Sequence, residues 1–229
     1  MFNDLDVEKY SRHFKDNRRV KIDNFLDLNT AEQYFKDFKE LAWETIFLTS
    51  QGLGCQEPED FLNIPEGAIV QNAEKGFGYY YDNFKVSRKA AIGEPDICKG
   101  VRDWETSEDF LSIFKEITNL NNIHTPYLNI SRYCQNHFLT HHDDHTVTDF
   151  GKRKIAFSLH LTPEWEAHWG GQTVFIDKDN YNKILRTISP EFNVMHIWEV
   201  KEDDHMHFVS MVSPFSNKCR YAISGWLHE

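Results

Sequence analysis

The sequence predicts a mainly antiparallel β fold, a sandwich or jelly roll, with helices in the first half of the chain. Apolar and polar residues alternate over 155–161, which is the period of a half-buried strand. Further strand-like segments follow, joined by long connections without crossover helices, as in antiparallel sheets. The additional predicted strands are 172–176, 194–200 and 221–227.

The first half of the chain shows the spacing of amphipathic helices. The capping-box pattern Thr30-x-x-Gln33 precedes apolar residues at helical intervals up to Ala42. A second helix is predicted over 107–120, where Thr106-x-x-Asp109 precedes a stripe of phenylalanine and isoleucine. Between them, residues 51–100 are rich in glycine and proline, and we expect irregular structure with short strands there.

The chain of 229 residues is long enough to bury a large core, and it contains no repeat, low-complexity tract or linker. We therefore expect one domain over residues 1–229. Within it, residues 1–125 supply helical support and substrate-binding loops, and residues 126–229 form the jelly-roll core.

The charge balance argues against several partners. With 25 basic and 36 acidic residues, the net charge is 25 − 36 = −11, which repels a nucleic-acid backbone. The N-terminus lacks the pattern of a signal peptide, and no apolar run is long enough to cross a membrane. We expect a cytoplasmic protein that binds neither nucleic acid nor membrane, and the sequence carries no signal for its oligomeric state.

Four cysteines are widely spaced and include no CxxC pair. This spacing argues against a zinc ribbon or a redox dithiol, and four cysteines are few for a disulfide scaffold. The prediction is therefore that all four are reduced, separately buried thiols. They are Cys55, Cys98, Cys134 and Cys219.

A cluster of histidine and aspartate after Tyr133 is the strongest chemical signal. Residues at i and i+2 of a strand share a face, so His142 with Asp144, or His141 with Asp143, can point at one metal ion. With one more ligand, two histidines and a carboxylate leave open positions for a cosubstrate and oxygen on Fe(II). Two alternatives remain: a chance surface cluster, and the dizinc motif HxHxDH, in which threonine replaces the first histidine here.

Downstream residues favour the iron alternative. His207 offers a distal histidine, although His205 lies two residues earlier and periodicity does not separate them. In the last strand Arg220, Ala222 and Ser224 share one face. The strand 155–161 likewise places Ala156, Ser158 and His160 together. Small residues leave space, and an arginine facing that space requires an anion.

Taken together, these motifs resemble the prolyl-hydroxylase-like branch of the Fe(II)/2-oxoglutarate-dependent dioxygenases, which have a double-stranded β-helix (jelly-roll) fold. The resemblance covers about residues 128–228. No single motif is specific to the family, but the order of the motifs along the chain is. The pieces are Tyr133, Phe138-Leu139-x-x-His142-x-Asp144, Leu161 to Trp165, Gly170-Gly171, His207-x-Val209 and Arg220.

The resemblance implies specific roles. His142, Asp144 and His207 would bind Fe(II), while Arg220 and Tyr133 would bind 2-oxoglutarate. His160, where relatives often carry tyrosine or asparagine, would point at the same carboxylate. The cofactors would be Fe(II), 2-oxoglutarate and O2, with ascorbate as an auxiliary reductant that such enzymes can require.

The implied reaction is hydroxylation of a prolyl residue in a protein or peptide, with release of succinate and CO2. The first alternative is hydroxylation of a free amino acid or another small molecule. A dizinc hydrolase and a non-catalytic jelly roll that binds 2-oxoglutarate are the remaining alternatives. The segment Tyr79-Tyr80-Tyr81 and Trp104 could contact a substrate proline or could belong to the core.

Overall fold

A computed structural model of the chain describes residues 1–48, 76–202 and 205–229. Its helices lie in the first half of the chain and its strands are concentrated in the second half. The helices are α1 (Val7–Asn17), α2 (Leu28–Asp37), α3 (Asp96–Thr106) and α4 (Glu108–Thr118), with a short 3-10 turn at Ala167–Trp169.

The strands of the described residues pair antiparallel throughout. They are β1 (Arg19–Asp23), β2 (Glu44–Leu48), β3 (Tyr79–Phe84), β4 (His124–Tyr133), β5 (Phe138–His142), β6 (Val147–Thr148), β7 (Gly151–His160), β8 (Thr173–Ile176), β9 (Ile184–Ile188), β10 (Val194–Glu199), β11 (His207–Val209) and β12 (Arg220–His228).

The sheet curls into two facing halves. The larger half has the order β1-β10-β7-β12-β4 and the smaller half the order β5-β11-β8-β9. Strand β3 bonds to β4 through Asp82–Phe84 and to β5 through Tyr79 and Tyr80, so it links the two halves. The predicted antiparallel jelly roll with N-terminal helices is thus confirmed.

The hydrophobic core lies between the helices and one face of the larger half. Phe110 and Phe114 of α4 pack on Phe157 of β7, with ring centroids 5.7 and 4.9 Å apart. Trp104 stacks on Phe110 and is almost completely buried, so it belongs to this core and not to a substrate site. The opposite face of the larger half is left to face the smaller half.

Helix boundaries differ from the predicted ones because other residues cap them. Helix α2 begins after Asp27, whose carboxylate accepts the Thr30 N–H, so Thr30 is not the N-cap. The helix ends at Asp37, and the apolar residues 41 and 42 lie beyond it. Helix α4 is where it was expected, but its cap is Ser107 instead of Thr106.

The region 51–100 was expected to be irregular with short strands. Its described part contains one short strand, β3, but also the start of helix α3, while residues 51–75 lie outside the described residues. Helix α3 was missed because it begins after Pro95 without a side-chain cap. Among the described residues, no helix is long and apolar enough to span a membrane.

Two cysteines correct the prediction of reduced thiols. Cys134 and Cys219 form a disulfide that joins residues 85 positions apart in sequence. Cys98 is a buried free thiol, as expected, and Cys55 lies outside the described residues. The pairing was not visible in the sequence, because it depends on β4 and β12 lying side by side.

Candidate metal and 2-oxoglutarate site

Three predicted residues meet between the two halves of the sheet. Metal-ligating atoms of His142, Asp144 and His207 all lie within 4.8 Å of one another. His142 ends β5 and His207 begins β11, and these two residues are register partners in the ladder. Asp144 lies past the end of β5 with a positive φ of 62°, a conformation that aspartate tolerates better than most residues.

Hydrogen bonds orient both imidazoles. The Nδ1 atom of His142 lies 3.0 Å from the Thr140 carbonyl oxygen, and that of His207 lies 2.8 Å from the His205 carbonyl oxygen. A carbonyl only accepts, so each Nδ1 carries a proton, and Nε2 is the ring nitrogen that can bind a metal. Backbone carbonyls in this position are the usual support of metal-binding histidines.

Both Nε2 atoms face a shared carboxylate. Nε2 of His142 lies 3.5 Å from Asp144 Oδ1, and Nε2 of His207 lies 3.4 Å from Asp144 Oδ2. Burial alone would lower the pKa of His142, but Asp144 raises it above its ordinary value, so the carboxylate favours a cation, a proton or a metal ion, at this position. The donor set of two imidazoles and one carboxylate therefore fits Fe(II) with open coordination positions.

The electrostatics of the triad agree with metal binding. Burial alone would raise the pKa of Asp144, but His207, His142 and Arg153 lower it below the ordinary range of a carboxyl. Burial, together with the proximity of His142, lowers the pKa of His207 to about 4. At neutral pH Asp144 is therefore ionised and His207 is neutral, which are the forms that bind a metal.

The neighbouring histidines and aspartate do not join this cluster. His141 packs against Tyr181, with ring centroids 4.7 Å apart. Asp143 accepts the backbone N–H of His145. His205 has a positive φ outside strand β11, and its Nδ1 lies 2.6 Å from the Glu199 carbonyl oxygen. The geometry thus separates pairs that the strand periodicity left equivalent.

Arg220 lies at the other end of the same cavity. A cavity of about 90 Å³ is lined by the three metal-ligating candidates, Arg220 and Tyr133 among others. The Arg220 side chain donates to Thr173 Oγ1 at 3.3 Å, and its guanidinium carbon lies 5.0 Å from the Tyr133 ring centre. Tyr133 in turn stacks on Tyr81.

The charge of Arg220 has no acidic partner among the described residues. The residue is 3% exposed, and its Nε atom has no hydrogen-bond partner. Burial lowers the pKa of Arg220 to about 10, so it is still protonated at neutral pH. A buried, unpaired guanidinium is costly, and an anion entering the cavity would relieve that cost. A carboxylate matches its planar fork.

His160 contacts Arg220 and does not line the cavity. Its Nδ1 lies 3.5 Å from Arg220 Nη2, and its ring is 1% exposed. Burial and the charge of Arg220 hold the pKa of His160 well below its ordinary value. It is therefore a buried, neutral group in contact with the guanidinium, and its role toward the cosubstrate stays a prediction.

The glycine pair allows the chain to approach this end of the cavity. Gly170 has a φ of 76°, and a Cβ on it would overlap the Met211 carbonyl group. A Cβ on Gly171 would lie 3.4 Å from Cδ of Arg220. Only glycine fits such a turn without displacing its neighbours.

Sequence reasoning missed residues at the metal end of the cavity. Trp198 and Trp226 flank Ala156 in one cross-strand row, and all three line the cavity. The guanidinium carbon of Arg153 lies 3.8 Å from the Trp226 ring centre, while Arg153 Nη1 lies 3.5 Å from the Asp144 carbonyl oxygen. Extending the face of Arg220 by the strand period would have found Trp226.

The fold and the site together define a class of protein. Residues 128–228 match the model of the 2OG-Fe(II) oxygenase superfamily. Members of that superfamily use Fe(II), 2-oxoglutarate and O2, in agreement with the donor set and the buried arginine. The match agrees with the predicted family resemblance and cofactors, and it favours them over a dizinc hydrolase.

The chain is also similar to individual proteins. The chain is 32% identical over 124 residues to prolyl 3-hydroxylase OGFOD1 of Xenopus laevis. The aligned segment covers 53% of this chain and 23% of that protein. The chain thus spans about a quarter of the length of that relative. In fold it is similar to a prolyl-4-hydroxylase of Pseudomonas putida, with a TM-score of 0.62, 11% identity and coverage of 97% and 98%. A prolyl hydroxylase of Trichoplax adhaerens, solved with a peptide fragment of hypoxia inducible factor, gives a TM-score of 0.64, 15% identity and coverage of 97% and 88%.

Proposed function

We propose that this chain hydroxylates a prolyl residue of a protein or peptide, with oxidation of 2-oxoglutarate to succinate and CO2. The observation that carries the proposal is one cavity that joins a two-histidine, one-carboxylate donor set to a buried arginine without a counter-ion. The similarity to prolyl hydroxylases supports the choice of substrate.

In this proposal each end of the cavity has its own task. His142, Asp144 and His207 hold Fe(II), and Arg220 with Tyr133 binds the distal carboxylate of 2-oxoglutarate. Bound Fe(II) supplies the activation of O2 that couples decarboxylation of 2-oxoglutarate to oxidation of a C–H bond. The protein orients the ligands and keeps each proton on Nδ1 of the two histidines.

The residues beyond the metal support a peptide substrate. Trp198 Nε1, Trp226 Nε1 and Arg153 Nε are buried donors without a partner among the described residues. A peptide supplies backbone carbonyl acceptors for such donors, and an indole ring offers a flat apolar face to a proline ring. Tyr81 also lines the cavity, so part of the predicted tyrosine segment is available there.

The test compares three substrates with iron-loaded protein and 2-oxoglutarate. They are a proline-containing peptide with blocked termini, the same peptide with alanine in place of proline, and free L-proline. We expect succinate formation matched by one added oxygen on the proline of the first peptide only.

Each other outcome selects an alternative. Turnover with free proline but with no blocked peptide would assign the chain to the small-molecule hydroxylases. Binding of 2-oxoglutarate without succinate under any condition would assign it to the non-catalytic jelly rolls. Given the net charge of −11, peptides with lysine beside the proline should react faster than peptides with glutamate there.

A further inference from the structure

The disulfide lies directly beside the proposed 2-oxoglutarate residues. Cys134 follows Tyr133, the last residue of β4, and Cys219 precedes Arg220, the first residue of β12. Tyr133 and Arg220 are register partners in the ladder between these strands. The S–S bond therefore closes the end of the ladder at which both residues enter the cavity.

The disulfide covalently links two neighbouring loops, the first over residues 134–137 between β4 and β5 and the second over residues 210–219 between β11 and β12. Hydrogen bonds also join the loops: the Gln135 side chain donates to the carbonyl oxygens of Pro214 and Ser216, at 2.6 and 2.7 Å. Backbone bonds between Asn136 and Val212 and between Val212 and His137 complete the contact. The second loop connects β11, which carries His207, to β12, which carries Arg220.

The position of Arg220 depends on the disulfide that holds the ends of β4 and β12 together. The guanidinium is buried and has no acidic partner among the described residues, so its placement in the cavity is unfavourable without an anion. A strand end that is free to separate would allow the charge to move toward water. Arg220 is the first residue of its strand, where separation begins.

The sulfur atoms have surroundings suited to thiol–disulfide exchange. Both cysteines are partly exposed. The sulfur of Cys134 lies within 4.8 Å of a ring nitrogen of His137 and a carboxylate oxygen of Asp82. A protonated imidazole beside a sulfur stabilises the thiolate that leaves when the other sulfur is attacked, and this interaction opposes the repulsion from the Asp82 carboxylate.

We propose that Cys134 and Cys219 form a redox-active pair whose reduction by a small-molecule thiol weakens the binding of 2-oxoglutarate. The attacking thiolate bonds to Cys219 Sγ, the S–S bond breaks, and Cys134 leaves as a thiolate that takes up a proton. A second thiol then releases Cys219, so two thiols become one disulfide while the protein gains two electrons and two protons.

The proposal rests on the proposed function, because it takes Arg220 as the 2-oxoglutarate residue. The triad lies on other strands, β5 and β11, and on the turn after β5. The affinity for the metal should therefore be the same whether the disulfide is intact or reduced.

The test uses the full chain with Cys55→Ser and Cys98→Ser, which leaves the proposed pair as the only cysteines. The affinities for Mn(II) and, with Mn(II) bound, for 2-oxoglutarate are measured by calorimetry before and after reduction with a phosphine. We expect the Kd for 2-oxoglutarate to rise about tenfold on reduction, a change of 1.4 kcal/mol, and that for Mn(II) to stay within about twofold. The Cys134→Ser/Cys219→Ser variant should bind 2-oxoglutarate as the reduced protein does.

Two results would overturn the proposal: equal 2-oxoglutarate affinity in both states, or two alkylatable thiols in protein that was never reduced. If the oxidised protein fails to bind 2-oxoglutarate at all, the proposed function itself is wrong. A separate measurement addresses His137. With His137→Gln, reduction of the pair by glutathione should be about tenfold slower, and an unchanged rate would remove His137 from the exchange step.

Discussion

The two faces of strands β7 and β12 are both buried, yet they differ in composition and task. On one face Ile155, Phe157 and Leu159 are at most 1% exposed and pack against the helices. On the other face Ser158 and His160 are also nearly inaccessible, but they are polar and face the smaller half of the sheet. Burial alone therefore does not distinguish core from site.

What distinguishes the faces is whether buried groups are satisfied by the protein. The core face is apolar and needs no partner. The cavity face holds Ser158 and Ser224 hydroxyls 3.0 Å apart, but also the unpaired guanidinium of Arg220. Substitutions on the core face should therefore change stability, and those on the cavity face should change ligand binding.

The largest effect is expected from loss of a metal ligand on the cavity side. His207→Ala should abolish metal binding and turnover, because two ligands remain where three are needed. Titration of the purified variant with Fe(II) in the absence of oxygen, and a succinate assay, check this. The matched variant His205→Ala should retain both, since the hydrogen bond to His207 comes from the His205 backbone carbonyl, which alanine keeps.

A second matched pair sharpens the same prediction. Asp144→Ala should be as severe as His207→Ala, whereas Asp143→Ala should be mild, because Asp143 accepts the nearby His145 N–H and is not part of the cluster of metal-ligating atoms. If Asp143→Ala lost metal and Asp144→Ala did not, the assignment of the triad would be wrong.

On the core face, Leu159→Ala should lower the free energy of unfolding by about 2–5 kcal/mol, the usual cost of such a cavity. Leu159 is fully buried and lies away from the cavity. Urea denaturation measures the change. At a temperature where the variant is folded, its affinity for 2-oxoglutarate should be unchanged, and a selective loss of that affinity would contradict the division between faces.

On the cavity face, Arg220→Leu should weaken 2-oxoglutarate binding without lowering stability, the opposite of the effect expected for Leu159→Ala. Each charged hydrogen bond is worth about 1.5–3 kcal/mol, so the Kd for 2-oxoglutarate should rise about a hundredfold. Iron binding should survive, and stability should hold or increase because an unpaired buried charge is removed. An unaltered requirement for 2-oxoglutarate in a succinate assay would show that Arg220 does not bind the cosubstrate.

The metal-free protein should lose stability in acid because of histidines on the cavity face. Burial lowers the pKa of His196 to about 3 and that of His207 to about 4, so both are neutral when folded. The unfolded chain binds protons below its ordinary histidine pKa of about 6.5, whereas the folded chain does not. The free energy of unfolding should therefore fall between about pH 6.5 and 4, by up to about 1.4 kcal/mol per pH unit for each histidine.

Chemical denaturation at a series of pH values measures this slope. His196→Leu should flatten it, and replacement of the exposed His13 of α1 by asparagine should not. A slope that is the same in all three proteins would show that His196 is not responsible.

The smallest effect is expected at His160. It contacts Arg220 but does not line the cavity, so His160→Ala should raise the Kd for 2-oxoglutarate only a few fold, corresponding to loss of one weak hydrogen bond of about 0.5–1 kcal/mol. An effect as large as that of Arg220→Leu would mean that His160 binds the cosubstrate directly.

Much of the fold could be predicted because periodicity is a local property. The strands near 155–161 and 221–227 and the helix near 107–120 appear close to their predicted positions. Errors occurred where a single polar side chain decides a boundary. Asp27 caps α2 ahead of Thr30, and no comparable signal marks the start of α3.

The candidate site was predicted from motif order more than from geometry. Strand periodicity placed His142 with Asp144, but the strand ends at His142, and Asp144 reaches the site through a positive φ instead. It also left His205 and His207 equivalent, and only the start of β11 separates them.

By itself, the sequence determined the fold class, the family resemblance and the identity of the residues on each strand face, because all three depend on order and spacing along the chain. Tertiary structure alone decided the Cys134–Cys219 bond, the contact of His160 with Arg220 and the cavity wall of Trp198 and Trp226. These features depend on the register between strands that are distant in sequence, and hydrophobic spacing within one strand carries no information about its neighbour's register.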